Sequence, residues 1–205
     1  MIMRSVRAAS FRRRAADASG QSMIEMAMLL PLVVTLVLGM IELSYALLDQ
    51  HVVTKMTREG ANMISRDASL DDTYQALQSM ATRPIDFTSR TKLILTVIKN
   101  VSTTGAPNYN APIVYQRHEF GATGVGGGTL VTCGCSGGFG PAPDYIAPNS
   151  DNNTSLRVTG GLPANSVSLG GMVYIAEIYT SHPLITPFDR LGITVPNTLY
   201  SIAYF

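Results

Sequence analysis

Apolar residues are concentrated in one stretch near the start of the chain. Met23–Leu48 is apolar almost throughout, and the 16 residues Met26–Ile41 within it carry no charge. As helices, the short and long spans would measure about 24 Å and about 39 Å, which brackets a hydrocarbon core of about 30 Å. The apolar residues fall on every side of the helix, unlike those of a surface helix in a globular protein. We therefore predict one transmembrane segment at about residues 24–48.

The residues after this stretch change to a one-sided helical pattern. Asp49–Arg66 contains no proline, and its apolar residues recur at spacings of three to five. Such spacing predicts a narrow apolar stripe on a continuing helix, so that one long helix should cover residues 21–66. The residues of the predicted stripe are Val52, Met56, Ala61 and Ile64.

Beyond Arg66 the pattern is that of a small mixed domain. Ser69 followed by Asp72 resembles a capping box that opens a short helix, which should end before Pro84. Four short runs rich in β-branched or aromatic residues then predict strands. The last run is apolar on both sides, so we expect it to be central, with one side packed on the long helix. The four runs are Lys92–Lys99, Pro112–Gln116, Ser155–Thr159 and Met172–Tyr179.

These patterns together predict an α+β fold. Its long N-terminal helix should span a membrane in its first half and pack in its second half against a small antiparallel β-sheet domain. The predicted segments are a leader at 1–20, the helix at 21–66 and an exported domain at 67–205. Residues 121–140 contain nine of the 18 glycines, and an Asn/Asp/Ser-rich stretch follows. We expect residues 121–154 to form a long, mobile surface loop.

The distribution of charge assigns an orientation to the helix. Only 14% of residues are charged, well below the roughly 25% of soluble domains, as a membrane protein requires. Residues 1–20 hold five arginines and one acidic residue, whereas the remainder is mildly acidic. The positive-inside rule then places the N-terminus in the cytoplasm and everything after Leu48 outside. An acidic body gives no sign of nucleic-acid binding.

The junction between leader and helix carries a short processing motif. A basic leader ends in Gly20, four residues follow from Gln21, and Glu25 then precedes the apolar run. A prepilin peptidase recognises this arrangement, with cleavage between Gly20 and Gln21. We therefore assign Gly20 and Gln21 as the processing site.

The helix resembles a known family. The run QSMIEMAMLLPLVVTLVLGMIEL, continued by VTKMTREGAN, resembles the TadE/TadF-like pseudopilins, minor components of tight-adherence (Tad) pili, a type IV-related system. The resemblance covers about residues 15–66 and is weaker at Tyr174–Pro187, which resembles the family's final strand and turn. It also rests on Pro31, on a second glutamate near the helix exit, Glu42, and on the run Arg58-Glu59-Gly60-Ala61.

The resemblance implies a set of partners and a location. It implies cleavage by a prepilin peptidase, retention of the mature helix in the lipid of the bacterial inner membrane, and a periplasmic C-terminal domain that can reach the cell surface with the pilus. Other pilus subunits and the inner-membrane assembly platform would be its protein partners in pilus assembly or adherence. Gln21 replaces the aromatic residue that opens many type IV pilins, which leaves N-methylation open. The long body favours a minor subunit, within the filament or at its base.

Glu25 is the unusual residue of the apolar helix. It lies about 6 Å along the helix from Gln21, and a carboxylate near the membrane centre costs on the order of 2.5–3.5 kcal/mol. Cleavage would create an α-ammonium at Gln21, a cation for Glu25 in the same chain or, as the resemblance favours, in a neighbour. The alternative is that Glu25 only reaches the cytoplasmic headgroups. We assign Glu25 to assembly and place Glu42 at the outer membrane interface, with pairing to another subunit as the alternative for Glu42.

The remaining candidate chemistry is sparse. Cys133 and Cys135 flank one glycine, and in an oxidising compartment they could form a small, strained disulfide. His118 is the nearest histidine, which is too few ligands for zinc. The glycine cluster Gly126–Gly128 lacks the Lys-Ser/Thr of a phosphate loop. We expect no enzyme, no catalytic residue, no metal, no cofactor and no small-molecule substrate.

A different class of protein also fits part of the pattern. An exported binding domain or adhesin could carry an uncleaved signal anchor or an ordinary signal peptide. For the signal peptide, Ser44-Tyr45-Ala46 supplies a small-x-small cleavage site. The mature N-terminus separates the cases, because it would be Gln21, Met1 or Leu47 for the pseudopilin, the anchor and the signal peptide.

Overall fold

A computed structural model describes residues 3–135, 138–163, 165–186, 188, 190, 192 and 197–205, with side chains from Gly20 onward. Apart from residues 1 and 2, the predicted leader is helical in its backbone, and its side chains lie outside the described residues. The elements in chain order are α1 (Met3–Ile64), α2 (Leu70–Met80), β1 (Thr91–Asn100), β2 (Pro112–Gly121), β3 (Thr132–Cys133), a 3-10 turn (Thr154–Leu156), β4 (Val158–Gly160), β5 (Met172–Ser181) and β6 (Thr198–Tyr204).

Local signals fix the junction between the two helices. Asp67 adopts a left-handed φ of 65°, and the amide of Ala68 donates to the carbonyl of Met63 at 3.3 Å. This 6→1 bond satisfies a carbonyl that the end of α1 would otherwise leave free. Ser69 then caps α2, because its Oγ accepts from the Asp72 amide at 3.1 Å and donates to the Asp72 carboxylate at 2.7 Å. The predicted helix start at Ser69 is confirmed, but the Asp72 carboxylate bonds the Ser69 hydroxyl and not the Ser69 amide of a full capping box.

The main sheet is antiparallel with the order β2-β1-β5-β6. β5 pairs with β1 on one side and with β6 on the other, which confirms that it is central. The predicted strand Ser155–Thr159 is half wrong, since Thr154–Leu156 is a 3-10 turn and only Val158–Gly160 is a strand. The Asn153 side chain accepts from the Ser155 amide at 3.1 Å and holds the chain in this turn. The final strand, β6, was not predicted.

The second half of α1 packs on one face of this sheet, which confirms the predicted fold class. The prediction placed Val52 on the buried stripe of α1, but Val53 is the residue that is fully buried. The buried residues recur every three or four positions from Val53 to Ile64. A Cβ added at Gly60 would lie 3.0 Å from Leu77 Cδ1 of α2 and 3.5 Å from Ala176 Cβ of β5, so glycine allows the helix to pack closely on both. The core on this face includes Val53, Met56, Ala61, Ile64, Leu77, Leu95, Ala176 and Ile178.

Contacts divide the chain into two compact units. One contains the helix up to Tyr45 together with Ile185 and Thr186, and the other contains Ala46–Leu184 and the C-terminal strand. The packed half of α1 thus belongs with the sheet, although the sequence assigned it to a separate segment. The leader and the exported segment, as functional segments, remain predictions.

The stretch 121–154, which we predicted to be a long, mobile surface loop, contains buried residues and a short strand, and its mobility stays a prediction. Val131 and Ala147 are buried within it, and it contains β3. Gly126 has a φ of 72°, and an added Cβ would lie 2.4 Å from the Tyr179 side chain. Its glycine allows the backbone to lie against the sheet, so composition typical of a mobile loop here serves close packing.

Candidate functional site on the long helix

The predicted processing site lies on an exposed part of α1. Gly20 and Gln21 are both exposed, and the backbone there is regular helix. A Cβ added at Gly20 would meet no other atom within 4 Å. Packing against the described side chains therefore does not require glycine at this position. Cleavage at this bond stays a prediction.

The apolar surface that follows is uncovered by the rest of the described chain. Every side chain in residues 20–37 is exposed, and the most apolar window of Gly20–Ile64 has a mean hydropathy of 2.3 with none of it buried. By length and composition this helix could cross a membrane. The hydroxyl of Thr35 donates to the Pro31 carbonyl at 2.8 Å, and that of Ser44 to the Met40 carbonyl at 2.7 Å. A helix in lipid needs such internal partners for its polar groups.

Glu25 is exposed on this surface. Its Oε1 accepts from the Gln21 side-chain amide at 3.1 Å, one helical turn away. Among the described side chains no cation pairs with it. The Gln21 α-ammonium that we expect to pair with Glu25 does not exist before cleavage, so the assembly role of Glu25 stays a prediction.

Glu42 has the opposite environment. It is only 4% exposed, although its helix neighbours Ile41 and Leu43 are exposed. One carboxylate oxygen accepts from the Thr186 amide at 2.9 Å, the Thr186 hydroxyl at 2.7 Å and the Ile185 amide at 3.2 Å. The expectation that Glu42 simply lies at the membrane interface missed this intrachain site. Nothing in the local sequence announced it, because the donors lie more than 140 residues further on.

A second buried carboxylate, that of Asp49, lies at the start of the half of α1 that packs on the sheet. Asp49 Oδ2 lies 2.6 Å from Nδ1 of His182, and both residues are buried. Next to it, the side-chain amide of Gln50 donates to the Tyr200 carbonyl at 3.2 Å. The helix is therefore tied by side chains to the segment after β5 and to β6. Sequence reasoning passed over these residues, although Asp49 lies two helical turns from Glu42 and so on the same side.

The sheet face opposite α1 carries a buried polar network that the sequence did not reveal. Glu177 is fully buried, and its carboxylate accepts from the Leu130 amide at 2.8 Å, from the Tyr200 hydroxyl at 2.9 Å and from the Thr129 hydroxyl. Arg117 donates to the Val131 carbonyl at 2.8 Å. Burial lowers the pKa of Arg117, while the charge of Glu177 acts in the opposite direction. The network holds the glycine-rich stretch on the sheet.

The two cysteines lie beside this network. Cys133 and Cys135 are joined in a disulfide, with Cα atoms 5.2 Å apart. Arg117 Nη1 lies 3.4 Å from the Cys133 sulfur. Their oxidation state in the cell remains a prediction. Within the described part of the chain, no group of three or more His, Cys, Asp or Glu side chains could hold a metal ion.

Comparison with known proteins supports one family for the helix. A family model described as TadE-like protein matches residues 20–62. This match confirms the predicted resemblance over the exposed apolar half of the helix and most of its packed half. No curated protein and no solved structure matches the chain. The match covers 43 of the chain's 205 residues, so it supports a likeness to TadE-like proteins for the long helix alone.

Proposed function

We propose that this protein is a minor pseudopilin of a Tad-type pilus, made with a leader that a prepilin peptidase removes between Gly20 and Gln21. The observation that carries the proposal is the apolar surface of residues 20–37, which the rest of the described chain leaves uncovered. The family match begins at residue 20, the last residue of the proposed leader. A helix that continues from an uncovered apolar half into a packed half suits a subunit that assembles through its N-terminal helix.

The proposed location is the inner membrane, with the sheet domain in the periplasm. The five leader arginines favour a cytoplasmic N-terminus, which places the remainder of the chain on the other side of the membrane. An oxidising compartment is also the one in which a disulfide between Cys133 and Cys135 persists. The protein would reach the cell surface only as part of the pilus.

Glu25 is the proposed assembly residue. Cleavage leaves an α-ammonium at Gln21, and Glu25 of a neighbouring subunit would accept it. The Gln21 side-chain amide that donates to Glu25 carries no charge, so it does not neutralise the negative charge of the carboxylate. In a low-dielectric setting such a pair attracts strongly, although desolvation offsets much of the gain. The partners in this step would be other pilus subunits and the assembly platform, in assembly or adherence, with no catalysis by this chain.

Glu42 argues against the signal-peptide alternative. Cleavage after Ala46 would remove Glu42 and leave the amides of Ile185 and Thr186 without this acceptor. A buried donor that loses its partner costs about 1–3 kcal/mol. The folded state is therefore more stable when the helix up to Ala46 is retained. This favours a retained pseudopilin over a secreted adhesin.

The mature N-terminus tests the proposal. The full chain is expressed in cells that contain a prepilin peptidase, recovered from the membrane fraction, and analysed by intact mass and N-terminal sequencing. A start at Gln21 is expected. A start at Leu47 would identify a secreted domain, and an intact Met1 an uncleaved anchor. Co-purification with other pilus components from the same membranes then separates a pilus subunit from an unrelated membrane protein.

A further inference from the structure

The segment Ile185–Thr186 lies at a defined level of the long helix. Its two amides and the Thr186 hydroxyl bond the Glu42 carboxylate, so its backbone lies within hydrogen-bond distance of that side chain. The same two residues belong to one compact unit with the helix up to Tyr45. Glu42 follows directly on the uncharged run that ends at Ile41.

Counted from Gln21, this level coincides with the outer boundary of a membrane span of about 30 Å, and it lies inside the wider span of about residues 24–48 predicted from the sequence. From Gln21, about 20 helical residues at about 1.5 Å each cover a hydrocarbon core of about 30 Å and end near Ile41. A carboxylate at this depth needs hydrogen-bond donors, which Ile185 and Thr186 supply. The donors therefore lie where the bilayer meets water.

The two side chains of the segment differ in exposure: that of Thr186 is buried and that of Ile185 is exposed. Thr186 is buried, with its hydroxyl on Glu42, whereas Ile185 is 45% exposed. Ile185 thus presents an apolar side chain to the surroundings beside a helix whose own residues at this level, Ile41 and Leu43, are exposed as well. An apolar side chain at this level gains by entering the headgroup and acyl boundary of a bilayer.

We propose that Ile185 is a second membrane-contact residue, which inserts into the outer leaflet of the phospholipid bilayer and is held at that depth by Glu42. The proposal rests on the membrane span of the proposed function. The span anchors the chain by itself, and the added contact fixes the segment after β5 to the bilayer surface. The partner is lipid, because Ile185 is exposed at the level of Glu42, where Ile41 and Leu43 of a helix that could cross a membrane are exposed as well.

The chain contains no tryptophan, so single substitutions give clean fluorescent reporters. Ile185→Trp reports the proposed contact, Leu36→Trp reports a position about 7.5 Å deeper along the helix than Ile41, and Tyr109→Trp reports an exposed residue of the sheet domain. Each full-length variant is reconstituted at high lipid excess into phosphatidylcholine and phosphatidylglycerol vesicles. Quenching is compared between lipids brominated near the glycerol end of the acyl chain, lipids brominated near its methyl end, and aqueous acrylamide.

The expected result is at least twofold stronger quenching of the position-185 reporter by the shallow bromines than by the deep ones. The position-36 reporter should show the reverse order, and the position-109 reporter should respond to acrylamide alone. Acrylamide quenching at 185 equal to that at 109 would overturn the proposal. Protection at 185 from both lipid and acrylamide would also overturn it, because protein would then cover the residue.

Two further measurements separate the causes of failure. If the position-36 reporter shows no lipid quenching, the membrane span is wrong, and the proposed function fails independently of the contact at Ile185. Adding Glu42→Ala to the position-185 reporter should reduce its lipid quenching at least threefold, and Glu42→Gln should give a smaller reduction. The same Glu42→Ala substitution added to the position-36 reporter should leave its lipid quenching unchanged. Unchanged quenching at 185 with Glu42→Ala would refute the holding role of Glu42.

Discussion

Two glutamates of the same helix have contrasting environments. Glu25 is exposed, and its described partner is the neutral amide of Gln21 at 3.1 Å. Glu42 is 4% exposed and accepts hydrogen bonds from two backbone amides and a hydroxyl. Among the described side chains, the fold supplies donors to Glu42 and no cation to Glu25. The difference indicates that Glu42 serves the structure of its own chain, whereas Glu25 is available to another molecule.

The two glutamates differ in how many hydrogen bonds their carboxylates accept from the described chain. A carboxylate that accepts several hydrogen bonds is stabilised by about 1.5–3 kcal/mol for each bond of this charged type. Glu42 obtains this within the chain from Ile185 and Thr186. Glu25 has one such bond from a flexible exposed side chain, so an incoming ammonium would add more to Glu25 than to Glu42.

The largest expected effect comes from blocking the step that creates the ammonium. Gly20→Val should abolish removal of the 20-residue leader, because a branched side chain would hinder the peptidase at the scissile bond. The fold should tolerate the change, since no atom lies within 4 Å of the added Cβ position. Intact mass in cells that process the parent chain measures it, with Gly39→Val as a helix-glycine control that should still be cleaved. Normal cleavage of Gly20→Val would remove the basis for pairing at Gln21.

Replacing the open carboxylate should reduce assembly. With Glu25→Gln we expect normal cleavage and membrane abundance but about tenfold less co-purification with pilus components, corresponding to about 1.4 kcal/mol of lost association. The neutral amide enters the membrane more easily than a carboxylate, so abundance should not fall. Surface pili and quantitative immunoblots of the membrane fraction provide the measurements. Unchanged assembly would mean that Glu25 only reaches the headgroups, and loss of mature protein would indicate a folding or recognition defect.

Replacing the buried carboxylate should give a local structural defect instead. Glu42→Ala leaves the buried amide and hydroxyl of Thr186 without this acceptor, at a cost of about 1–3 kcal/mol. The Thr186 amide should then exchange with solvent roughly ten times faster or more, as hydrogen-exchange mass spectrometry in detergent would show. Glu25→Gln is the matched control and should leave this amide unchanged. If both variants act alike at Thr186, the two glutamates do not differ as we propose.

Local patterns predicted much of the fold and little of what surrounds these carboxylates. Signals that lie within a few neighbouring residues could be recognised in the sequence. They are the apolar stripe of the helix, the Ser69 cap and the runs that form β1, β2 and β5. β6 was missed because its two sides mix polar and apolar residues, with Ser201 buried at its centre. A strand of this kind depends on its partner more than on its own pattern.

The missed site residues share a different cause. Glu42 accepts a hydrogen bond from Thr186, and Glu177 accepts one from Leu130. The paired residues are 144 and 47 positions apart in the sequence. Their partners include backbone amides, which every residue except proline possesses, so no residue type marks these donors in the sequence. Glu177 could have been flagged as an acidic residue in an otherwise apolar central strand, but its role required the structure.

The smallest expected effect separates the two groups that Gln21 offers to Glu25. Gln21→Ala removes the side-chain amide at 3.1 Å but, after cleavage, leaves an α-ammonium at the same position. An exposed i,i+4 side-chain pair contributes about 0.2–0.5 kcal/mol, which corresponds to a change of roughly twofold or less. If the ammonium is the partner that assembly uses, Gln21→Ala should co-purify with pilus components within about twofold of the parent chain, while Glu25→Gln loses far more. Both variants are compared in one membrane preparation, and N-terminal sequencing verifies that Gln21→Ala is cleaved. A loss equal to that of Glu25→Gln would show that the amide, and not the new terminus, is the group that Glu25 needs.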